Sequence, residues 1–385
     1  MIGIHEPKLS KKTFLNIEKC LKSNWVSTSG YFINSVSSSL KNYLKIKYSL
    51  LTNSGTSALD LAIRVMEFEK KTIILVPSIT FIAPINAVIY NHCEPYLFDC
   101  DEYLNFDLNL MEKFLKKNVI IKKVKNLKIS FHKKTKQRIG AVIITHVFGN
   151  AVNIYRLKTI CKKYNIKIIE DASESLGTRY ITGFLKNKFT GTIGDIGCFS
   201  FNGNKIITSG SGGALVTNNK NYYEKAKHLA FQSKKDKNDY KHDELGFNYG
   251  MTNLSAALLL DQLKRIEKII KKKITISKFY KEKINHPNFE VLDSPKYARN
   301  NKWLSVLRVK NLTKKQINNI TIKFRKKNIQ LRKVWLPNYY NNHLKNFYVN
   351  QKINSKNYFT FLCLPSSEFL KINTLKKICK LFNKK

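Results

Sequence analysis

The sequence predicts an α/β fold: a large domain with a mostly parallel sheet wrapped by helices over residues 1–250, then a connecting helix and a small α+β C-terminal domain over 251–385. Three observations carry this. Short apolar runs of strand length alternate with helical stretches from about residue 46 onward, as in repeated strand-helix-strand units. A long helical run beginning near Thr252 leads out of that alternation. Beyond a turn near Ser294 and Pro295 come strand, helix, strand and helix, enough for a second, smaller domain.

In order, strands are expected near 46–52 (IKYSLLT), 72–77 (TIILVP), 95–99 (PYLFD), 140–147 (GAVIITHV), 166–170 (IKIIE), 197–201 and 213–217 (GALVT). Helices fall between them, near 56–67, 81–91, 107–117, 153–164 and 219–230. Residues 118–138 form a basic insertion without clear periodicity, read as a surface hairpin or loop. The C-terminal part is read as a strand at 303–309, a helix at 313–327, a strand near 329–335 and a terminal helix.

A chain of 385 residues with 43% hydrophobic content can bury a sizeable core. Its formal charge of +43 invites a nucleic-acid or anionic-membrane reading. The lysines are scattered over nearly every surface segment, however, and no zinc-ligand spacing or helix-turn-helix pattern accompanies them. No specific nucleic-acid partner is expected, and the charge suits attraction of a phosphorylated substrate. Seven cysteines without a C-x-x-C pair suggest neither a disulfide framework nor a metal site. The opening MIGIHEPKLS has no apolar signal region, and the most apolar window, 72–90, is broken by Pro77 and Pro84. The expectation is a soluble cytoplasmic protein with no membrane segment.

Chemistry gathers at strand ends, where ligands of such sheets bind. Lys205 follows a buried strand into a turn studded with glycines, a place where a cation loses hydration and its neutral amine becomes an available nucleophile. Ser200 lies at the end of the same strand. Gly55, Thr56 and Ser57 open a helix just after the first strand, a position that suits a phosphate or an ordinary N-cap. Phe81 opens the next helix, either as core or as a flat surface for a planar ligand. Asp171 directly follows an apolar run, where a buried carboxylate needs a partner such as a protonated pyridine nitrogen, unless it caps a helix. Together the four describe a pyridoxal 5'-phosphate site. His146 is read as packing, and His5 is too isolated to assign.

From Trp25 to the terminus the chain resembles the sugar aminotransferases of the DegT/DnrJ/EryC1/StrS family, through SGTSAL, PSITFIAPINAV, THVFGNAV, IEDASESLGT, TGTIGDIGCFSFNGNKIITSGSGG and LGFNYGMTNLSAAL. Within it, the chain is most similar to the legionaminic acid pathway subgroup, which aminates C4 of UDP-linked 4-keto sugars. The resemblance implies the pyridoxal phosphate-dependent transferase type I fold, like aspartate aminotransferase. It implies that Lys205 joins the cofactor covalently and later shuttles a proton at the substrate carbon, that Asp171 keeps the ring nitrogen protonated, and that Phe81 stacks on the ring. Thr56, Ser57 and Ser200 would hold the phosphate, with Asn248 reaching in from the second subunit of a homodimer that shares its active sites. Glu174 stands where many relatives have Gln and would contact the ring hydroxyl. Trp25, Ser29 and Gly30 would line the sugar-nucleotide pocket, with Arg332 and Trp335 near the active site. Gly250 stands where relatives commonly carry Arg. The implied substrates are a nucleotide-linked 4-keto-6-deoxy sugar and L-glutamate; the alternatives are another nucleotide-sugar 3- or 4-aminotransferase, or a basic binding protein that kept the fold without the chemistry. In the dehydratase branch of this fold the lysine position resembles His, so Lys205 favours transamination.

Overall fold

The computed structural model describes residues 1–125, 127–236, 240–350 and 355–383. Seven strands make the body of the large sheet: β1 (Tyr48–Thr52), β2 (Ile73–Pro77), β3 (Glu94–Phe98), β4 (Ile139–Thr145), β5 (Lys167–Asp171), β6 (Ile196–Ser200) and β7 (Gly213–Thr217). Their order is β1-β7-β6-β5-β4-β2-β3, with a two-residue strand, Val349–Asn350, beyond β3. Only β7 runs against its neighbours; every other adjacent pair is parallel. Each lies within about two residues of its expected position.

Continuous apolar runs make these strands because the sheet is covered on both faces. Every residue of β2 and β4 is buried. Side chains alternate across the pleat: Ile74, Val76, Ala141 and Ile143 face the helices Gly55–Arg64 and Ala83–Tyr90, while Ile73, Leu75, Val142 and Ile144 face Leu108–Asn118 and Ile154–Tyr164. Helix starts are set by short polar caps, with Ser54, Asp107, Asn153 and Asn219 each accepting a backbone amide of the first turn. The basic insertion is an antiparallel hairpin, Val119–Val124 with Leu127–His132.

The expected long helix is two, Asn253–Lys264 and Ile266–Lys283, divided at Arg265, where ψ opens to 6°. Two further helices, Lys11–Lys22 and Tyr31–Leu44, had no counterpart in the sequence reading and pack against Asn253–Lys264. Tyr31–Leu44 buries Phe32, Val36, Leu40 and Leu44, one residue per turn.

The smaller sheet is antiparallel, in the order Phe289–Val291, Ser305–Val309, Phe361–Leu364, Arg332–Lys333. Phe361–Leu364 was not anticipated, and the strand expected over 329–335 is only Arg332–Lys333 within this sheet. Residues just before it pair elsewhere: Ile2 donates to the Asn328 carbonyl at 2.7 Å and accepts from the Gln330 amide at 2.9 Å. Among the described residues no helix is long and apolar enough to cross a membrane.

Candidate active site

β6 ends at Ser200 and the chain turns back to β7 through residues 201–212, pinned by Phe201 donating to the Gly212 carbonyl and Ser209 donating to the Phe201 carbonyl, both at 2.8 Å. Lys205 projects from this loop into a cavity of about 350 Å³ at the carboxyl ends of the strands. Its Nζ lies 3.3 Å from Glu174 Oε1 and 4.6 Å above the ring of Trp303. Trp303 Nε1 donates to the carbonyl of Asn204 at 2.8 Å, which fixes the backbone one residue before the lysine.

Glu174 is held from its other side. Its Oε2 accepts the backbone amide of Phe148 at 2.8 Å, and Phe148 itself sits at a left-handed φ of 52°. The Phe148 ring stacks 4.8 Å from Trp335 and 6.0 Å from Trp303. Burial pushes the Glu174 carboxyl above its ordinary range, with the Lys205 charge and the Phe148 amide opposing.

Asp171 ends β5, is 4% exposed and lines the same cavity. Its Oδ1 accepts the Ser173 amide at 3.1 Å within a tight turn, and no helix begins there, so it is not a helix cap. Its Oδ2 stands 3.5 Å from the Thr145 hydroxyl, which in turn meets Thr80 at 2.9 Å.

Across the cavity the helix Gly55–Arg64 points its N-terminus inward, with Gly55, Thr56 and Ser200 in the wall. A Cβ at Gly55 would stand 2.8 Å from Ser200 Cβ, so only glycine lets these two elements approach. Ser57 departs from expectation: it is outside the cavity wall, its Oγ donating to Asn53 Oδ1 at 2.6 Å and meeting Ser54 Oγ at 2.9 Å, because the helix start uses it in capping. Phe81 is 57% exposed at the cavity mouth, which removes the core alternative.

Arg332 and Trp335 line the cavity as expected from their motif. Asn248, Trp25, Ser29 and Gly30 do not reach it within this chain. Asn248 is exposed and its carbonyl accepts from Asn53 Nδ2 at 3.1 Å. Trp25 is 61% exposed, and its carbonyl accepts from Asn253 Nδ2 at 2.6 Å. Ser29 is exposed, and Gly30, with φ of 141°, sits against the Asn253 side chain. Gly250 is buried beside Thr28; a Cβ there would meet the Phe231 ring at 2.7 Å, so Phe231 occupies the space a larger side chain would need. His146 lies in the interior, its Nε2 2.9 Å from Glu170 Oε2 and its Nδ1 accepting the Val152 amide at 3.1 Å.

Sequence reading missed Trp303, Thr145, Asn202 and Asn204 in the wall. Trp303 lies two residues before the strand Ser305–Val309 of the C-terminal sheet, so only the tertiary fold brings it to Lys205. The donor set fits pyridoxal phosphate: an amine with a carboxylate partner, a second buried carboxylate across from it, and a helix N-terminus with hydroxyls at a point only glycine leaves open.

Residues 7–383 match the DegT/DnrJ/EryC1/StrS aminotransferase family. The chain is 32% identical, over 74% of its length, to the GDP-perosamine synthase of Escherichia coli O157:H7, 71% of which it covers. It is 31% identical, over 79% of its length, to the UDP-4-amino-4,6-dideoxy-N-acetyl-beta-L-altrosamine transaminase of Campylobacter jejuni subsp. jejuni serotype O:23/36 (strain 81-176), 75% of which it covers. Among solved structures, Helicobacter pylori PseC, an aminotransferase involved in the biosynthesis of pseudoaminic acid, superposes with a TM-score of 0.88 at 22% identity, over 99% of this chain and 98% of that one. The type I fold expected from the sequence is thus the fold observed.

Proposed function

The chain belongs to the DegT/DnrJ/EryC1/StrS aminotransferase family, whose members are pyridoxal phosphate-dependent sugar aminotransferases, and from that premise we propose its particular reaction. It transfers an amino group from L-glutamate to C4 of a nucleotide-linked 4-keto-6-deoxy sugar, UDP-4-keto-6-deoxy-N-acetylhexosamine, supplying a 4-amino sugar for a surface polysaccharide or nonulosonic acid such as legionaminic acid. The observation that carries this is the placement of Lys205 and Asp171 in one cavity, with Gly55 and Thr56 at a helix N-terminus in the same wall. The relative named for UDP-4-amino-4,6-dideoxy-N-acetyl-altrosamine supports the UDP sugar and C4; the one named for GDP-perosamine makes GDP the alternative nucleotide.

When bound, pyridoxal phosphate supplies an electrophilic carbon and an electron-withdrawing ring. The chain's own groups do the rest. Lys205 Nζ is the base that lifts and returns a proton at the substrate carbon, and Glu174 holds that amine against Trp303. Asp171, held by the Ser173 amide, offers a fixed carboxylate to a ring nitrogen. Thr56, Ser200 and the helix amides receive phosphate, and Phe81 covers the mouth.

The working unit in this reading is a homodimer with shared sites. Asn248 and the segment from Trp25 to Gly30 lie outside this chain's cavity, beside exposed apolar groups, Val26 and Tyr31 among them, that a second copy would cover. The reading as a non-catalytic basic protein rests on the net charge of +43 and on Gly250, where the Phe231 ring fills the space a side chain would need.

The test is the absorption spectrum of the purified holoenzyme before and after L-glutamate, then the UDP-linked keto sugar. The visible band is expected to bleach with glutamate and return with the sugar, and to be missing in Lys205→Ala. A band that ignores both substrates would overturn the proposed reaction.

A further inference from the structure

The antiparallel hairpin of Val119–Val124 with Leu127–His132 divides its side chains between two faces. Ile120, Lys122 and Val124 share one face with their partners Phe131, Ile129 and Leu127, and Lys122 Nζ lies 5.9 Å from the centre of the Phe131 ring. Val119, Ile121 and Lys123 share the other with His132, Ser130 and Lys128. The base of this second face is anchored to the body of the domain: Ser130 Oγ donates to the Tyr164 carbonyl at 2.5 Å, and the His132 ring stacks 5.8 Å from that of Phe114. The outer end is left uncovered. Ile121, Val124 and Leu127 are 40%, 41% and 64% exposed, and the last two are direct cross-strand partners, so they form one apolar edge in water.

The same hairpin stands in a field of one sign. Residues 113–169 include sixteen Lys and Arg and no Asp or Glu, so nothing in this stretch of chain neutralises the hairpin from within. Lys122, Lys123, Lys125 and Lys128 are exposed, and the ion pairs nearby, Lys116 and Arg156 with Glu112 and Lys167 with Asp195, leave them out. Lys123 stands directly opposite Lys128, a like-charged pair that costs stability unless anions screen it. Asn165 Nδ2 donates to the Lys128 carbonyl at 2.5 Å, which brings Lys162 and Lys163, in the last turn of Ile154–Tyr164, beside the same strand. Clustered cations around an exposed aliphatic edge match a surface that offers anionic groups and hydrocarbon together.

We propose that this hairpin docks the protein on an anionic membrane surface, with Lys123, Lys125 and Lys128 against the head groups and Val124 and Leu127 entering the boundary with the acyl chains. The association is peripheral, at one leaflet. A second copy of this chain is a poor occupant, because two such surfaces carry the same charge and repel. A nucleic acid would engage the lysines but leave the aliphatic edge in water. Docking also keeps the active site open. No hairpin residue lines the cavity around Lys205, and the hairpin leads into the amino end of β4, whereas the cavity is reached at Thr145, the carboxyl end of that strand. The assignment does not depend on which reaction the cavity performs.

The experiment is flotation of the full chain with two kinds of vesicle, phosphatidylcholine alone and equal parts of phosphatidylcholine and phosphatidylglycerol. Wild type is expected to bind the mixed vesicles at least roughly tenfold more tightly than the neutral ones, and to lose that preference as salt is added. Lys123→Gln with Lys128→Gln is expected to weaken binding to the mixed vesicles by roughly twentyfold. Val124→Ser with Leu127→Ser is expected to weaken it by roughly tenfold while keeping the salt dependence. All four side chains are exposed, so melting temperature and catalytic rate in solution should match wild type in both variants. Equal binding to the two kinds of vesicle, or none to either, would overturn the proposal. So would mixed-vesicle binding that the serine variant retains in full, since the hairpin would then be a site for polyanions in general. Tighter, lysine-dependent binding of a duplex oligonucleotide would assign it to nucleic acid instead, and loss of an oligomer in the serine variant, read by sedimentation, would assign it to a second copy.

Discussion

Lys205 Nζ stands 4.6 Å over the indole of Trp303, and the same indole donates its Nε1–H to the carbonyl of Asn204. One side chain thus fixes both the reactive amine and the backbone that carries it. Trp303→Phe keeps a ring under the lysine and removes the hydrogen bond, so kcat is expected to fall by roughly fivefold to tenfold with the fold intact. Trp303→Ala also removes a fully buried ring stacked on Phe148, and urea denaturation is expected to show a loss of about 3–5 kcal/mol. An Ala variant as stable as wild type would contradict this packing.

Glu174 makes stability depend on pH in a defined direction. Its carboxyl is raised above the ordinary value of 4.5 by burial. As pH rises from there, the unfolded chain releases the proton while the native fold still holds it, so the native state binds more protons and stability falls across the window. Glu174→Gln lacks this term. Melting temperatures measured from pH 4.5 upward should shift progressively in favour of the variant, while its kcat drops by roughly tenfold because Lys205 loses its ionic partner.

Gly213 opens β7, and a Cβ there would lie 2.4 Å from the Ser54 carbonyl oxygen and 2.6 Å from the Gly55 amide nitrogen. Those are backbone atoms at the start of the helix that faces the cavity, and they cannot yield as a side chain can. Gly213→Ala is expected to cost about 1–3 kcal/mol and to weaken cofactor binding by roughly tenfold, read by thermal melting and by fluorescence titration with pyridoxal phosphate. Gly203→Ala is the control: its Cβ would meet nothing closer than 3.9 Å, and stability should move by less than about 0.5 kcal/mol.

Lys273 is 1% exposed, and its Nζ donates to the carbonyls of Trp303 at 3.1 Å and Ser366 at 2.6 Å. Burial brings its pKa down to about 7. Between that value and the ordinary lysine value near ~10.4, the unfolded chain binds one more proton than the native one, so stability rises with pH across the window. Lys273→Met should flatten this rise. Chemical denaturation at pH 6, 7.5 and 9 checks it, and parallel curves for the two proteins would refute the assignment.

The sequence made legible whatever is local. Alternating apolar and helical runs place β1 to β7 and the helices between them, and Asp171, Ser200, Thr56 and Lys205, each at a strand end or within about five residues of one, share the cavity wall. Contacts assembled by the tertiary fold were not visible. Trp303 and Asn204 meet across 99 positions, and His5 looked isolated because its neighbours Gln330 and Arg332 come from the far end of the chain. The engagement of the Ser57 hydroxyl with Asn53 and Ser54 at the helix cap is not something a motif read in one dimension reveals. The two N-terminal helices were overlooked although Phe32, Val36, Leu40 and Leu44 recur with helical spacing; that spacing was the available signal.

The segment carrying His5 is fastened to residues more than 300 positions later in the chain. Glu6 reaches Ser367 across 361 positions, and Ile2 pairs with Ile329. On the ribosome the large sheet has all seven of β1 to β7 once residue 217 has emerged, whereas the segment carrying His5 waits until its partners near 329 and 367 follow. A chain stalled before residue 329 can therefore assemble the lysine and the phosphate-facing helix and still lack the wall that holds His5 beside Arg332.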